Sequence, residues 1–223
     1  MSLNHSPAIV TDGLVFCLDA ANIRSYPKSG TTWSDLVGNN IGTLHNSPAF
    51  SSDSGGCLVF DGTNEYAAFS SSDLINSATG ATQPRSVCIW TKYTASANLV
   101  VLEKGTNKHF VLQTLADGSM QWRVSGSSFN AAVSSTSLND NNWRYFVFTY
   151  GSDRRARVYT DGILEDTGST HSGNADDSVD FVIGSRSGSY AFIGSIACVS
   201  IYNRALTGDE VRQNYEATVG RYT

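Results

Sequence analysis

Short apolar runs separated by turn-forming residues are the feature that most constrains the fold of this chain. They recur from Leu14–Leu18 to Ile193–Tyr202, a spacing typical of β-strands joined by turns. Within 157–164, Asp161 and Gly162 supply the two positive-φ residues that a type I′ hairpin turn needs. Asp117-Gly118 marks a second hairpin in the same way. The pattern predicts an all-β fold.

The length of 223 residues fits one all-β domain, because sandwiches of about 200–250 residues commonly form a single unit. We predict an N-terminal arm over residues 1–10 and one domain over 11–223. Helix is indicated only near the C-terminus, where Thr207 and Glu210 are spaced as in a capping box.

Charge and cysteine content exclude several classes of protein. The 15 Lys and Arg against 20 Asp and Glu give a net charge of -5, which argues against a nucleic-acid-binding protein. No apolar stretch is long enough to cross a membrane, and the first residues do not resemble a signal peptide. The four cysteines lie within apolar runs, so we expect buried free thiols in a protein made in a reducing cytoplasm.

Several motifs together resemble the laminin-G-like domains of the concanavalin A-like superfamily. They are Gly13–Ala20, Ser29–Gly38, the run Phe60-Asp61-Gly62-Thr63-Asn64-Glu65-Tyr66, Trp143–Tyr150, and the closing run from Ile183 to Thr207. The resemblance covers nearly the whole chain. It implies a concanavalin A-like jelly-roll β-sandwich of two antiparallel sheets with one short C-terminal helix.

The front and the tail of the chain are similar to domains of virion structural proteins of tailed phages, including those of cyanobacteria. This resemblance implies a non-enzymatic protein on the virion surface, either a head decoration protein or a tail-fibre component, that binds glycans or the host surface. The implied partners are other virion proteins and further copies of the chain in a homo-oligomer. We expect neither nucleic-acid binding nor membrane insertion. A carbohydrate-binding module of a cellular surface protein is an alternative.

A polysaccharide-degrading enzyme of the same fold is the other alternative. Such enzymes carry carboxylates in the spacing E-x-D-x-x-E, which places an acid and a nucleophile about 5 Å apart. None of the five glutamates stands in that spacing. Glu165 and Asp166 are neighbours on a predicted strand and are therefore expected to face opposite sides.

Calcium is the candidate cofactor. Asp61, Asn64 and Glu65 supply oxygen ligands of the kind that calcium prefers, in the place where calcium-binding relatives hold the ion. The sequence departs from the family after Gly194, where residues 195–198 lack an acidic residue that relatives often carry. The other interpretation is that Asp61-Gly62 simply forms a tight turn.

Strand parity predicts a candidate binding face. The more apolar alternate residues of each strand are assigned to the core, which turns the intervening ones outward. If these strands share one sheet, the concave face carries Tyr145, Tyr159, Arg123, Arg155, Arg157 and Gln121. Aromatic rings beside guanidinium groups suit a glycan, but such a face also suits a neighbouring protein or a plain surface. Rim loops holding Trp33, Tyr26 and Tyr190 are a rival surface.

Overall fold

Two antiparallel sheets packed face to face form the fold, which confirms the predicted all-β sandwich. The computed structural model describes residues 7–70, 84–104, 110–124, 130–170, 180–186 and 189–223, and these contain sixteen strands, eight in each sheet. Sheet 1 consists of β1 (Leu14–Asp19), β4 (Ala49–Ser51), β5 (Cys57–Asp61), β7 (Arg85–Tyr93), β12 (Arg144–Tyr150), β13 (Arg155–Thr160), β14 (Ile163–Thr170) and β16 (Ile193–Tyr202). Sheet 2 consists of β2 (Thr32–Ser34), β3 (Ile41–His45), β6 (Tyr66–Phe69), β8 (Val100–Lys104), β9 (Phe110–Thr114), β10 (Met120–Val124), β11 (Asn130–Val133) and β15 (Phe181–Ile183).

In both sheets, several strands that pair with each other are not consecutive in the sequence. Sheet 1 runs β14-β13-β12-β7-β16-β5-β4, with β1 also pairing with β16, and sheet 2 runs β11-β10-β9-β8-β15-β6-β3-β2. The hairpin turn between β13 and β14 has φ of 52° at Asp161 and 84° at Gly162, as the sequence predicts.

The main core fills the space between the sheets. Phe146, Phe148 and Tyr150 of β12 are fully buried there, as are Met120 and Trp122 of β10. Parity therefore assigns the inward residues of these strands correctly. An isolated two-layer sandwich would leave the outer face of each sheet in water.

Helix α1 (Gly208–Thr218) covers the outer face of sheet 1. The Thr207 side chain accepts from the amide of Glu210, and the Glu210 carboxylate accepts from the amide of Thr207 at 2.8 Å, which confirms the capping box. Trp90 of β7 stacks on Tyr222 with ring centroids 3.9 Å apart and donates to the Thr218 hydroxyl at 2.9 Å. The helix and tail thus close a second apolar cluster outside the sandwich.

Part of the predicted N-terminal arm also lies against α1. The amide of Val10 donates to the Asn214 side chain at 2.7 Å, and the Gln213 side chain donates to the carbonyl of Ala8 at 2.8 Å. The division at residue 10 stays a prediction.

Two carboxylates join the sheets along one side of the sandwich. The Asp166 carboxylate of β14 accepts from the amide of Val133 at 2.9 Å, and Glu165 accepts from the amide of Ser135 at 2.6 Å. The expectation that Glu165 and Asp166 face opposite sides is therefore wrong. The pairing of β13 with β14 skips Glu165, and this β-bulge breaks the alternation of side chains. Both carboxylates satisfy amides at the edge of β11.

Candidate functional site

The predicted concave face is divided between the two sheets. Arg123 and Gln121 lie on β10 in sheet 2, whereas β12 and β13, which carry the other four residues, lie in sheet 1. The premise that these strands share one sheet is wrong. Strand parity shows which residues of a strand share a face, but it does not show to which sheet the strand belongs.

Tyr145 and Tyr159 belong to the cluster beneath α1. Only 5% of Tyr145 and 6% of Tyr159 is exposed. The Tyr145 ring lies between Trp90 and Tyr215, at centroid distances of 5.2 and 6.3 Å. Burial raises the pKa of both predicted tyrosines. Their rings are packing surfaces and present no platform to a ligand.

Arg157 is engaged by a neighbouring carboxylate. It forms an ion pair with Asp153, and this hydrogen bond raises the pKa of Arg157 and lowers that of Asp153. Arg155 is exposed and donates to the carbonyl of Gly168 at 3.4 Å. These two arginines lie at the start of β13, on the sheet whose outer face α1 covers.

The outer face of sheet 2 carries the remaining predicted residues. The register aligns Arg123 of β10 with Val111 of β9, Val111 with Glu103 of β8, and Glu103 with Val182 of β15. Their neighbours along each strand, such as Leu102, Leu112 and Trp122, point into the core. The row therefore places Arg123 and Glu103 on one face with small apolar side chains beside them.

A charged group lies at the centre of this face. Arg186, which follows β15, donates to the Glu103 carboxylate at 2.6 Å, and Glu103 is 5% exposed. Desolvation lowers the pKa of Arg123, the positive charge of Arg186 lowers it further, and Glu103 opposes both effects. The Arg186 guanidinium also lies over the Tyr190 ring, 5.3 Å from its centroid.

Amide and aromatic groups extend the same face. Gln113 donates to the Gln121 side chain at 3.1 Å, which fixes the orientation of the Gln121 amide. On the far side, His45 of β3 stacks on Tyr66 of β6 with ring centroids 4.4 Å apart and planes 11° from parallel. The face thus combines guanidinium groups, amides and ring surfaces, which are the groups that bind polyhydroxylated ligands.

Only one of the three aromatic residues proposed for the rival rim surface is accessible. Trp33 is fully buried and Tyr26 is 3% exposed, whereas Tyr190 is 58% exposed. Tyr190 contributes to the outer face of sheet 2 through its contact with Arg186. Arg186 lies in a polar loop and no sequence pattern distinguishes it, whereas Glu103 directly follows the apolar run Leu99–Leu102, where a charged residue is a detectable signal.

The three predicted calcium ligands share one turn. The Asp61 carboxylate accepts from the amide of Thr63 at 2.7 Å, and Glu65 accepts from the amide of Asp61 at 2.7 Å. The carbonyl of Asn64 accepts from the Asn46 side chain. Within the described ranges, no three His, Cys, Asp or Glu side chains are grouped so that they could hold a metal ion. The turn offers fewer uncommitted oxygens than calcium usually takes, and calcium binding stays a prediction.

A groove of about 490 Å³ lies between the outer face of sheet 1 and the C-terminal segment. Cys17, Cys88 and Cys198 line it together with Trp90 and Tyr222. Burial raises the pKa of Cys88 and of Cys198 to about 12. These thiols are therefore protonated at neutral pH and are poor nucleophiles and metal ligands. All four cysteines are free, as predicted.

Comparison with solved structures identifies the same fold in toxin binding domains. The binding domain of Paraclostridial Mosquitocidal Protein 1 superposes with a TM-score of 0.73 at 16% identity, over 91% of this chain and 52% of that one. The receptor-binding domain of botulinum neurotoxin C/D mosaic serotype gives 0.75 at 12% identity, over 94% and 52%. The binding domain of botulinum neurotoxin DC in complex with SialylT gives 0.75 at 11%, over 93% and 52%. The chain therefore spans about half the length of these structures, and the likeness concerns the fold.

Sequence comparison gives the family. No curated protein matches the chain significantly. Among the described residues, no helix has the length and apolar character required to span a membrane. A family profile for the concanavalin A-like lectin/glucanases superfamily matches residues 61–212, about two thirds of the chain. The chain belongs to the laminin-G-like family of this superfamily.

Proposed function

We propose that this protein is a non-enzymatic glycan-binding domain of a phage virion surface, acting in head decoration or in a tail fibre. The observation that carries glycan binding is the outer face of sheet 2. It carries the Glu103–Arg186 pair, Arg123 and the Gln113 and Gln121 amides, and Arg186 lies over the exposed Tyr190 ring. Saccharides are bound by such combinations of hydrogen-bonding groups and ring faces.

The fold comparison supports this proposal. Several solved structures of the same fold are binding domains, including one in complex with SialylT. Another is of botulinum neurotoxin type C, which enters cells in a way that depends on interaction with two ganglioside molecules. Glycan recognition by those toxins supports glycan binding as the function of this chain.

The described carboxylates support a non-enzymatic role. Glycoside hydrolysis uses two carboxyl groups flanking the scissile bond. Glu103 is held by Arg186 at 2.6 Å, and Glu165 and Asp166 accept main-chain amides at the edge of β11. A polysaccharide-degrading enzyme is the alternative, and release of reducing sugar from envelope polysaccharides would establish it.

Glycan binding is tested with a glycan array and a paired variant. Replacing Gln113 and Gln121 together by alanine removes both amides without leaving either partner unsatisfied. Two lost hydrogen bonds predict about 10- to 100-fold weaker binding. Gln213→Ala, on α1, is the matched control and should bind as the unmodified protein does. Absence of binding to every glycan, or equal binding by the double variant, would refute the proposed site.

The virion location rests on the sequence resemblance to tailed-phage structural proteins. Antibodies against this protein, imaged by electron microscopy on phage particles, test it directly. Label over the head favours decoration, with other virion proteins and further copies of the chain as partners. Label on the tail favours adhesion to the host surface. Particles without label would exclude the virion and leave a carbohydrate-binding module of a cellular surface protein as the alternative.

A further inference from the structure

The groove between sheet 1 and the C-terminal segment has the size of a small-molecule binding site. Its volume of about 490 Å³ lies within the range of about 300–1,000 Å³ that is usual for ligand pockets. Its floor includes three small side chains of β1 and β16, Cys17, Cys198 and Ser200, and each of them is partly exposed. The register places Cys17 directly beside Ser200. A bound molecule can therefore reach the floor of the groove.

Larger side chains form the walls around this floor. Trp90 is aligned with Cys198 in the register, and the Tyr222 ring stacks on Trp90 with centroids 3.9 Å apart. At another side, the Tyr202 hydroxyl donates to the carbonyl of Val10 at 2.8 Å, and the neighbouring Ile9 lines the groove. Small residues between larger ones leave a depression, which an apolar body can fill while it leaves water.

The charged residues along the groove leave one carboxylate unpaired. Asp19 and Arg221 both line the groove and form an ion pair at 2.7 Å, so their charges cancel. Glu216, on the exposed side of α1, is the third charged residue of the described lining, and it forms no ion pair with another described residue. The thiols of the groove add no charge, because burial raises the pKa of each of them. The rim therefore carries a net negative charge.

We propose that this groove binds a small organic cation that consists of an ammonium group on an aromatic body. The aromatic body packs against Cys198 and the ring wall, since sulfur and ring edges both make favourable contacts with aromatic groups. The ammonium group lies at the rim beside Glu216, where its charge is complementary. An anionic ligand of the same shape is repelled there. This site is separate from the glycan-binding face on sheet 2, and the inference does not depend on glycan binding.

Three indole compounds of similar size test the ligand class. At neutral pH tryptamine is a cation, 3-methylindole is uncharged and indole-3-propionate is an anion. Isothermal titration calorimetry should show tryptamine binding about two- to fivefold more tightly than 3-methylindole, as for a partly exposed ion pair, and indole-3-propionate binding most weakly. Absence of tryptamine binding, or no preference for tryptamine over the other two compounds, overturns the inference.

A larger side chain on the floor tests the location. Ser200→Leu places extra atoms in the groove and should abolish tryptamine binding. Ser169→Leu, at an exposed position of β14, is the matched control and should bind tryptamine as the unmodified protein does. Thermal unfolding checks that both variants are folded. Unchanged binding by folded Ser200→Leu overturns the inference. If this variant instead converts a dimer into a monomer in sedimentation, the groove holds a second copy of the chain and the inference is also wrong.

A charge variant provides a test that does not alter the floor. Glu216→Gln should bind tryptamine no more tightly than 3-methylindole, because the complementary charge is gone. Asp209→Asn is the control, since it removes one negative charge from the same helix, with 89% of the side chain exposed, and it does not line the groove. If Asp209→Asn reduces the preference for tryptamine as much as Glu216→Gln does, the attraction belongs to the whole protein and the inference is wrong.

Discussion

The Glu210 carboxylate fixes the start of the helix that covers sheet 1. It accepts two hydrogen bonds from the Arg204 guanidinium, at 2.7 and 2.8 Å, in addition to the amide of Thr207. We predict that Glu210→Gln destabilises the protein, although glutamine is also compatible with a capping box. The substitution removes the charge while keeping the shape, so it isolates the interaction with Arg204.

The size of the effect follows from the pKa. The hydrogen bonds from Arg204 are the main reason that the pKa of Glu210 falls from 4.5 to about 2. At about 1.36 kcal/mol per pKa unit, this corresponds to about 3 kcal/mol. Solvent reaches about a quarter of each side chain and screens the pair, so we expect about 2 kcal/mol. For a chain of this size, that is a melting temperature lower by about 4–8 °C.

The sign of the pH dependence gives a stricter test. The pKa of Glu210 is lower in the folded state than in the unfolded state. Its contribution to the free energy of unfolding is therefore complete above about pH 4.5 and is lost as the pH falls toward 2. Chemical denaturation at a series of pH values should therefore show the two proteins converging as the solution is acidified. Glu216→Gln, at an exposed site on the same helix, should have little effect. A loss of stability that is the same at pH 7 and pH 3 would refute this explanation.

Three further predictions concern the rest of the molecule. A methyl group at Gly42 would overlap the Phe69 ring of the core, so Gly42→Ala should lower the free energy of unfolding, measured with denaturant, by about 1–3 kcal/mol. Gly220→Ala is the control, because a methyl group there meets no atom within 4 Å and should leave the stability nearly unchanged. Cys88 and Cys198, whose pKa values desolvation raises to about 12, should react slowly with a thiol reagent at pH 8 and rapidly after unfolding; fast reaction in the native protein would contradict this prediction. If the turn at 61–65 binds calcium as predicted, calcium but not magnesium should raise the melting temperature, and an unchanged value would refute that prediction.

Local patterns in the sequence predicted the features that depend on neighbouring residues. The turn at Asp161-Gly162 needs only two residues that tolerate positive φ, and the capping box needs only Thr207 and Glu210 three positions apart. Parity also placed Phe146 and Phe148 in the core. It failed at Glu165, because a bulge shifts the alternation and no local signal marks that bulge.

The prediction of which residues share the concave face was wrong because it depended on pairing between strands that are distant in sequence. β10 and β12 are close in sequence, but β10 pairs with β9 and β11, whereas β12 pairs with β7 and β13. Which strands pair depends on contacts between distant parts of the chain. A pattern within one strand therefore cannot assign the strand to a sheet.

The C-terminal helix then decides which outer face is available to a ligand. Val211 is fully buried on one side of α1, and Tyr215 lies against Trp90 with centroids 6.0 Å apart, so the helix must cover an apolar surface. Sheet 1 supplies that surface through Trp90, Tyr145 and Tyr159. The same aromatic character that made these tyrosines attractive as glycan platforms is what makes them the helix's packing surface. Because that face is occupied, the charged and amide groups on sheet 2 are the stronger candidate for recognition.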